Sequence, residues 1–292
     1  MRPAYITATV AAEAATPETL EGVYPRIILA VKTPATEDAS RALARHLAPD
    51  GYVVSAQNGL NEYVIAEIVG AARVIGCLVN FGADYIGPGE ILYGGRGAAV
   101  VGEIDGAPSD RLASLHGLLQ DFEPEAIMTD NIFGYLWSKM AYGAMLFAEA
   151  LTEASIADCL DHAAYRDLFI ALARETLAVA LAQGVTPEAF NGFDPSAFMP
   201  GGGDAAARKS LDQMVAFNHR SAKTHSGIWR DIAVRKRKTE VDALPGAVSV
   251  LARRTGLRAP LCEALTTLIH EVEDGKRPQS WATLDALKAA MV

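Results

Sequence analysis

Cysteine is scarce in this chain: Cys77, Cys159 and Cys262 are the only three among 292 residues. They are widely spaced, odd in number and never in a CxxC pair, which excludes a disulfide framework and a cysteine zinc site. Buried, inert thiols in a reducing compartment are expected. Long apolar runs are also missing, since nothing reaches the roughly 18 uninterrupted apolar residues of a membrane span. Residues 1–16 lack the basic start and long apolar centre of a signal peptide. The chain therefore reads as soluble and cytoplasmic. Positive charge is in deficit, with 26 Lys and Arg against 35 Asp and Glu and a formal net charge of −9. That argues against nucleic acid as the main partner, because phosphate binding needs a surplus of cations. A small anionic substrate needs only a local positive group. HExxH, GxSxG, GxGxxG and P-loop motifs are absent, and His46, His116, His162, His219, His225 and His270 show no ligand spacing. No metal is expected.

What is present is ordinary globular material, 50% hydrophobic and 21% charged, enough for one large domain or two medium ones. The first half alternates short apolar runs with helical patterns. Arg26-Ile-Ile-Leu-Ala-Val31 is a continuous run of the kind found in a strand covered on both faces. Helical periodicity follows over 37–47, Pro49-Asp50-Gly51 breaks it, and Tyr52-Val-Val-Ser-Ala56 is the next strand. Asn58-Gly59 ends that strand, 62–69 is a helix and 73–79 a third strand. This is the pattern of a parallel sheet with crossover helices. Residues 91–93 and 98–102 read as shorter strands around Gly94-Gly-Arg-Gly97, as in a hairpin, and 110–119 as a helix.

Beyond about Glu123 the strand signals stop. Asp130 is a candidate cap for a helix whose apolar stripe runs Ile132, Leu136, Met140, Ala144 and Phe147. Further helices are expected at 163–183, ended by Gly184, and at 210–224, separated by a loop over 190–205. A basic segment spans 230–238. A helix to Thr255 is stopped by Gly256, and Pro260 opens a last long helix ended by Gly275. The expectation is α/β followed by all-α, with units at 1–123 and 124–292.

Ligands of α/β sheets bind beyond the carboxyl ends of the strands. Lys32 directly follows the first run and Asn58 the second, although a lone lysine there is commonly solvated and Asn-Gly commonly a plain turn. Lys139 lies on the stripe side of its helix. It is either a lysine snorkelling from the edge of a packed face or a partly buried ammonium suited to general-acid work. Glu240 is most simply a partner for Arg or Lys on its own helix, and Arg235-Lys-Arg-Lys238 a solvated helix face.

Six short motifs nevertheless occur in one order: Ile28-Leu-Ala-Val-Lys-Thr33, Gln57-Asn-Gly-Leu60, Gly87-Pro-Gly89, Val101-Gly-Glu103, Leu136-Trp-Ser-Lys139 and Lys238-Thr-Glu-Val-Asp242. Together they resemble the ketopantoate reductase (2-dehydropantoate 2-reductase) family over roughly residues 5–275. The resemblance implies a Rossmann-type parallel sheet, then a helical C-terminal domain, with the site between them. It implies reduction of ketopantoate by NADPH in pantothenate biosynthesis. Lys139 then stands at the catalytic lysine, giving a proton to the carbonyl oxygen as hydride adds to the carbon. Glu240 stands at the glutamate near the nicotinamide ribose and substrate, and Lys32 and Asn58 face cofactor and substrate. Ser226, in a shifted serine motif, is assigned to the substrate.

The departures from the family pattern are equally specific. Its opening strand and GxGxxG phosphate loop have no counterpart, so the sheet is expected to be N-truncated, with an uncovered strand edge; a homodimer is the association such an edge favours. Gly143 and Phe147 stand where the family has substrate-holding asparagines, and Pro245 replaces another asparagine. The competing expectations are a different 2-oxo acid substrate, or a non-catalytic relative acting as a binding or assembly protein.

Overall fold

The computed structural model describes residues 9–220 and 224–291. Its first half runs β1 (Tyr24–Leu29), α1 (Thr36–Ala44), β2 (Leu47–Ser55), α2 (Asn61–Val69), β3 (Val74–Val79), β4 (Gly82–Gly87), β5 (Glu90–Gly95), β6 (Ala99–Glu103), α3 (Asp110–Phe122) and β7 (Ile127–Met128). The second half is helical: α4 (Ile132–Glu149), α5 (Ile156–Asp161), α6 (Arg166–Ala182), α7 (Gly203–Arg220), α8 (Gly227–Ala233), α9 (Pro245–Arg254), α10 (Pro260–Glu273) and α11 (Trp281–Lys288). The fold is a Rossmann-like sheet followed by a helical domain. The last sheet strand lies just past Glu123.

The main sheet has the order β1-β2-β3-β6-β7. β1, β2 and β3 pair in parallel, as the alternation of strands and helices requires. β6 pairs antiparallel with β3, and β7 parallel with β6. The reversal follows from the connection: no helix lies between β3 and β6, and a chain that does not cross over must return antiparallel. Residues on alternate sides of the strands separate two cores. Val53 and Val74 pack with Leu29, Leu43 and Ile65 on the α1 and α2 side. Val54, Ile75 and Val101 pack with Leu112 and Leu115 of α3 on the other. β1 is an edge strand, and its Ile28 is exposed.

Several local expectations shift. The hairpin is β4–β5, turning at Pro88-Gly89 with Gly89 at φ +77°, rather than 91–93 with 98–102. Gly97 instead lies against Asn80, where a Cβ would come within 2.2 Å of its carbonyl oxygen. Pro49-Asp50-Gly51 does not end α1; it bulges within β2, so that Tyr24 pairs with Leu47 and Arg26 with Tyr52. The cap of α4 is Asn131, whose side chain accepts from the Gly134 amide, and not Asp130. α7 begins inside the expected 190–205 loop, and α5 and α11 are short helices that periodicity did not reveal.

The helical half has one large core, with Trp137, Met145, Phe169, Leu177 and Leu265 at 0% exposure. Met140 and Phe147 of the α4 stripe belong to it. Leu78 and Val100 of the sheet pack on Ile132 and Leu136, so α4 joins the two halves. All three cysteines are buried and free. Burial pushes the thiols of Cys77 and Cys159 up to about 12. Among the described residues no group of three or more His, Cys, Asp or Glu side chains is arranged to hold a metal ion, and no helix is long and apolar enough to cross a membrane.

Candidate active site

The loops that leave β1 and β2 are locked to each other by side chains. Gln57 Nε2 donates to the Val31 carbonyl and to Thr36 Oγ1, each at 2.7 Å. Asn61 Nδ2 donates to the Asn58 carbonyl at 2.6 Å, and Thr33 Oγ1 donates to the same oxygen at 2.9 Å. Gly59, at φ +90°, turns the chain so closely under the helical half that a Cβ would sit 3.2 Å from the Ala243 carbonyl oxygen. These bonds satisfy loop backbone that would otherwise be unpaired, and they fix Lys32 and Asn58 beyond the ends of their strands.

Across from them lies Glu240, just before a short 3-10 turn at Val241–Ala243. Its Oε2 accepts from Lys32 Nζ at 2.8 Å and from Asn58 Nδ2 at 3.4 Å, and its Oε1 accepts from the Thr33 amide at 2.8 Å. Burial pushes the Glu240 carboxyl up, but the bonds from Lys32 and Thr33 outweigh it and hold the group below its ordinary range. Glu240 is thus ionised at neutral pH. Its cation comes from the sheet half, and not from its own helix as composition alone had implied.

Asp231 is the second acid of the site. It lies 3.4 Å from Lys32 Nζ and 2.8 Å from guanidinium nitrogens of both Arg235 and Arg237. Burial raises its carboxyl, and the two arginines more than reverse this. The basic run is therefore not a solvated helix face. α8 ends at Ala233, Lys236 takes φ +50°, and the turn brings two arginines back onto Asp231. The signal available in sequence was the i, i+4 pair of Asp231 and Arg235.

Lys139 reaches the same space from α4, where its Nζ donates to the Val79 carbonyl at the end of β3, 2.6 Å away. Lys32, Asn58, Lys139, Glu240 and Asp231 all line one cavity of about 250 Å³. Gly143, Leu146, Phe147 and Leu244 form an apolar part of its wall. A larger groove of about 610 Å³, beside α6 and Phe198, has none of these polar groups. Ser226 is not among the lining residues. It is buried and caps α8, its Oγ accepting from the Trp229 amide at 3.0 Å. One cation at a strand end paired with a buried acid, and a second cation on a helix lining the same cavity, can orient an anionic substrate and supply a proton.

The family described as Ketopantoate reductase PanE/ApbA matches residues 5–106, and Ketopantoate reductase PanE/ApbA C terminal matches residues 131–273. A 2-dehydropantoate 2-reductase of Pyrococcus horikoshii is 25% identical over 249 residues, 85% of this chain and 75% of that protein. One of Pyrobaculum aerophilum is 30% identical over 236 residues, 80% of this chain and 73% of that protein. In fold the chain is similar to D-mandelate dehydrogenase solved with NADH and anilino(oxo)acetate, with a TM-score of 0.74 and 19% identity. That match covers 89% of this chain and 79% of the other.

Proposed function

Because the chain belongs to the ketopantoate reductase family, we propose that it reduces ketopantoate or a related small 2-oxo acid to the 2-hydroxy acid, with NADPH as the reductant. The observation that supports this most directly is the meeting of Lys32, Asn58, Lys139 and Glu240 on one cavity between the strand ends and the helical half.

The donor set suits such ligands. Lys32 and the Asn58 amide offer a cation and a hydrogen-bond donor to a carboxylate, and the Glu240 carboxylate offers an acceptor to ribose hydroxyls. These residues would hold the nicotinamide end of a dinucleotide, which when bound supplies the hydride to the carbonyl carbon. Lys139 holds the proton destined for the carbonyl oxygen, and the Val79 carbonyl fixes its Nζ at the cavity wall. Glu240, kept ionised, holds Lys32 and the Thr33 amide in place and keeps Asn58 turned to the cavity. The apolar wall of Leu146, Phe147 and Leu244 excludes water from the carbonyl.

The test is a fluorescence titration of NADPH against the purified chain, then turnover on a panel of 2-oxo acids with Lys139→Ala alongside. Saturable binding, and turnover that falls on the order of 10²-fold or more in the variant, is expected for loss of a general acid. No fluorescence change at millimolar NADPH would sink the oxidoreductase reading. Turnover that survived Lys139→Ala would move the acid to another residue.

A further inference from the structure

Glu62 is a carboxyl for which the fold has no structural use. It sits in the first turn of α2 at 0% exposure. Neither oxygen makes a hydrogen bond of good geometry among the described residues, and of hydrogen-bonding groups only its own backbone amide and the Ser55 hydroxyl lie close enough to favour the charged form. Charged side chains are almost never buried without a partner, because the interior does not replace their hydration. A leucine at this position would serve packing better.

Its place explains more than its packing does. α2 and α4 lie side by side on one face of β3, joined by Tyr63 stacked on Phe133 with centroids 4.8 Å apart. Between them is Gly76 of β3, where a Cβ would meet Ile132 at 2.8 Å and the Glu62 Cγ at 3.5 Å. The missing side chain at Gly76 makes the room that Glu62 and Ile132 fill. Lys139 follows Ile132 by two turns of α4, about 10 Å along the axis, and there it enters the cavity. Glu62 therefore lies one layer beneath the cavity, on the side of the helix that carries Lys139.

The other groups around Glu62 leave Lys139 as the charge that matters. From β2 its polar neighbour is the hydroxyl of Ser55, and from β3, across the sheet, the thiol of Cys77. α1, packed along α2, buries only Thr36, Ser40 and Leu43. Tyr63, next in sequence, is a phenol pushed upward by its own burial and then by Glu62. Burial raises the Glu62 carboxyl to about 7; its own backbone amide and the Ser55 hydroxyl act against this rise, and after them the Lys139 ammonium, which is the charge that does so.

We propose that Glu62 is a positioning residue for the proton of Lys139: its sealed carboxyl, wedged between Gly76 and Ile132 beneath the cavity, sets through space how tightly that lysine holds its proton. An ionised Glu62 favours the ammonium form, and a neutral one releases it. The pH range of the proton step then belongs to the pair and not to Lys139 by itself. This rests on reading Lys139 as the proton donor, but the coupling can be measured without turnover.

The direct measurement is an NMR titration of the ¹³C-dimethylated lysines of the ligand-free protein, with Lys139→Arg to assign the resonance. The Lys139 signal is expected to titrate in two steps, the lower near neutral pH, and that step is absent in Glu62→Gln. Identical single-step titrations in both proteins overturn the proposal, whether or not any 2-oxo acid is turned over. With an active substrate, Glu62→Gln should move the alkaline limb of the kcat profile down by about one pH unit, a roughly tenfold loss on that limb, with KM within about twofold. Glu62→Asp, which keeps the charge, should recover part of that loss. Superimposable kcat profiles for Glu62→Gln and the parent also reject the coupling. Should the glutamine variant not fold, the two-step titration in the parent and its displacement in Glu62→Asp decide the matter.

Discussion

Lys32 and Glu240 stand 208 positions apart and meet at 2.8 Å, the lysine half exposed and the glutamate 9% exposed. That asymmetry decides what each substitution costs. Lys32→Met strands a buried carboxylate with only the Thr33 and Asn58 donors, at a cost of about 1–3 kcal/mol. Glu240→Gln leaves Lys32 to water and to Asp231 and keeps an acceptor for the Thr33 amide, so it should cost about 1 kcal/mol or less. Urea unfolding of the two variants and the double variant measures this; equal costs, or the reverse order, would refute the asymmetry.

The same carboxylate makes the junction between the halves sensitive to acid. Glu240 titrates below its ordinary 4.5 in the folded chain. A depressed folded value gives stability that is present above the unfolded value and is lost as pH falls through the folded one. The melting advantage of the parent over Glu240→Gln should therefore be full at pH 6–7 and shrink below about pH 4.5. A gap that stays constant down to pH 3 would show that Lys32 and Thr33 do not favour the ionised form.

Glu62 carries the opposite sign. Its folded value is raised from 4.5 to about 7, so its contribution is intact below 4.5 and is lost as pH rises through about 7. At about 1.4 kcal/mol per pH unit, that difference is on the order of 3 kcal/mol. Glu62→Gln should melt above the parent at pH 8, and the two should converge near pH 4. Differential scanning calorimetry at the two pH values checks this, and a glutamine variant less stable at pH 8 would contradict it.

The bulge in β2 offers a test of the fold itself. A Cβ on Gly51 would lie 2.9 Å from the Tyr24 carbonyl oxygen and 3.1 Å from the Ala48 nitrogen, all backbone atoms that cannot swing aside. Arg73 completes the bulge by donating to the Gly51 carbonyl at 2.9 Å and to that of Ala48. Gly51→Ala should destabilise by about 1–3 kcal/mol, whereas alanine at Gly70, where nothing lies within 4 Å, meets only the strain of its φ of +92°. Denaturant midpoints of Gly51→Ala and the parent that coincide would mean that the bulge can open freely.

Much of this was legible because local pattern and fold agree. Val53 and Val54, or Val74 and Ile75, sit in runs that only a strand covered on both faces tolerates, and their spacing by helices dictates parallel pairing. Lys32 and Asn58 stood out because strand ends are where such sheets bind ligands. What stayed hidden depends on contacts no window of sequence contains. Lys32, which pairs with Glu240 and also reaches Asp231, lies some 200 residues upstream, and the arginines that hold Asp231 belong to a basic run that looks solvated until its turn is known. Glu62 looked like one more polar residue of an ordinary helix, because its burial depends on Gly76 and on a helix that follows much later.

The cavity wall bears on which 2-oxo acid is accepted. Gly143 faces Leu244, and a Cβ there would make an ordinary contact at 3.5 Å with the end of that side chain and meet no backbone of another element within 4 Å. With Leu146, Phe147 and Leu244 around it, the present wall has no partner for a hydroxyl on the substrate's side chain, and an unpaired hydroxyl there costs about 1–3 kcal/mol. Gly143→Asn adds an amide to that wall and replaces a poor helix former in α4. The ratio of kcat/KM for ketopantoate over its deoxy analogue should rise about tenfold or more in the variant, with the melting temperature held or raised. An unchanged ratio in a folded variant would place the substrate's side chain elsewhere in the cavity and move the search for its partner to other polar residues of the lining, Asn80, Asp231 and Thr239 among them.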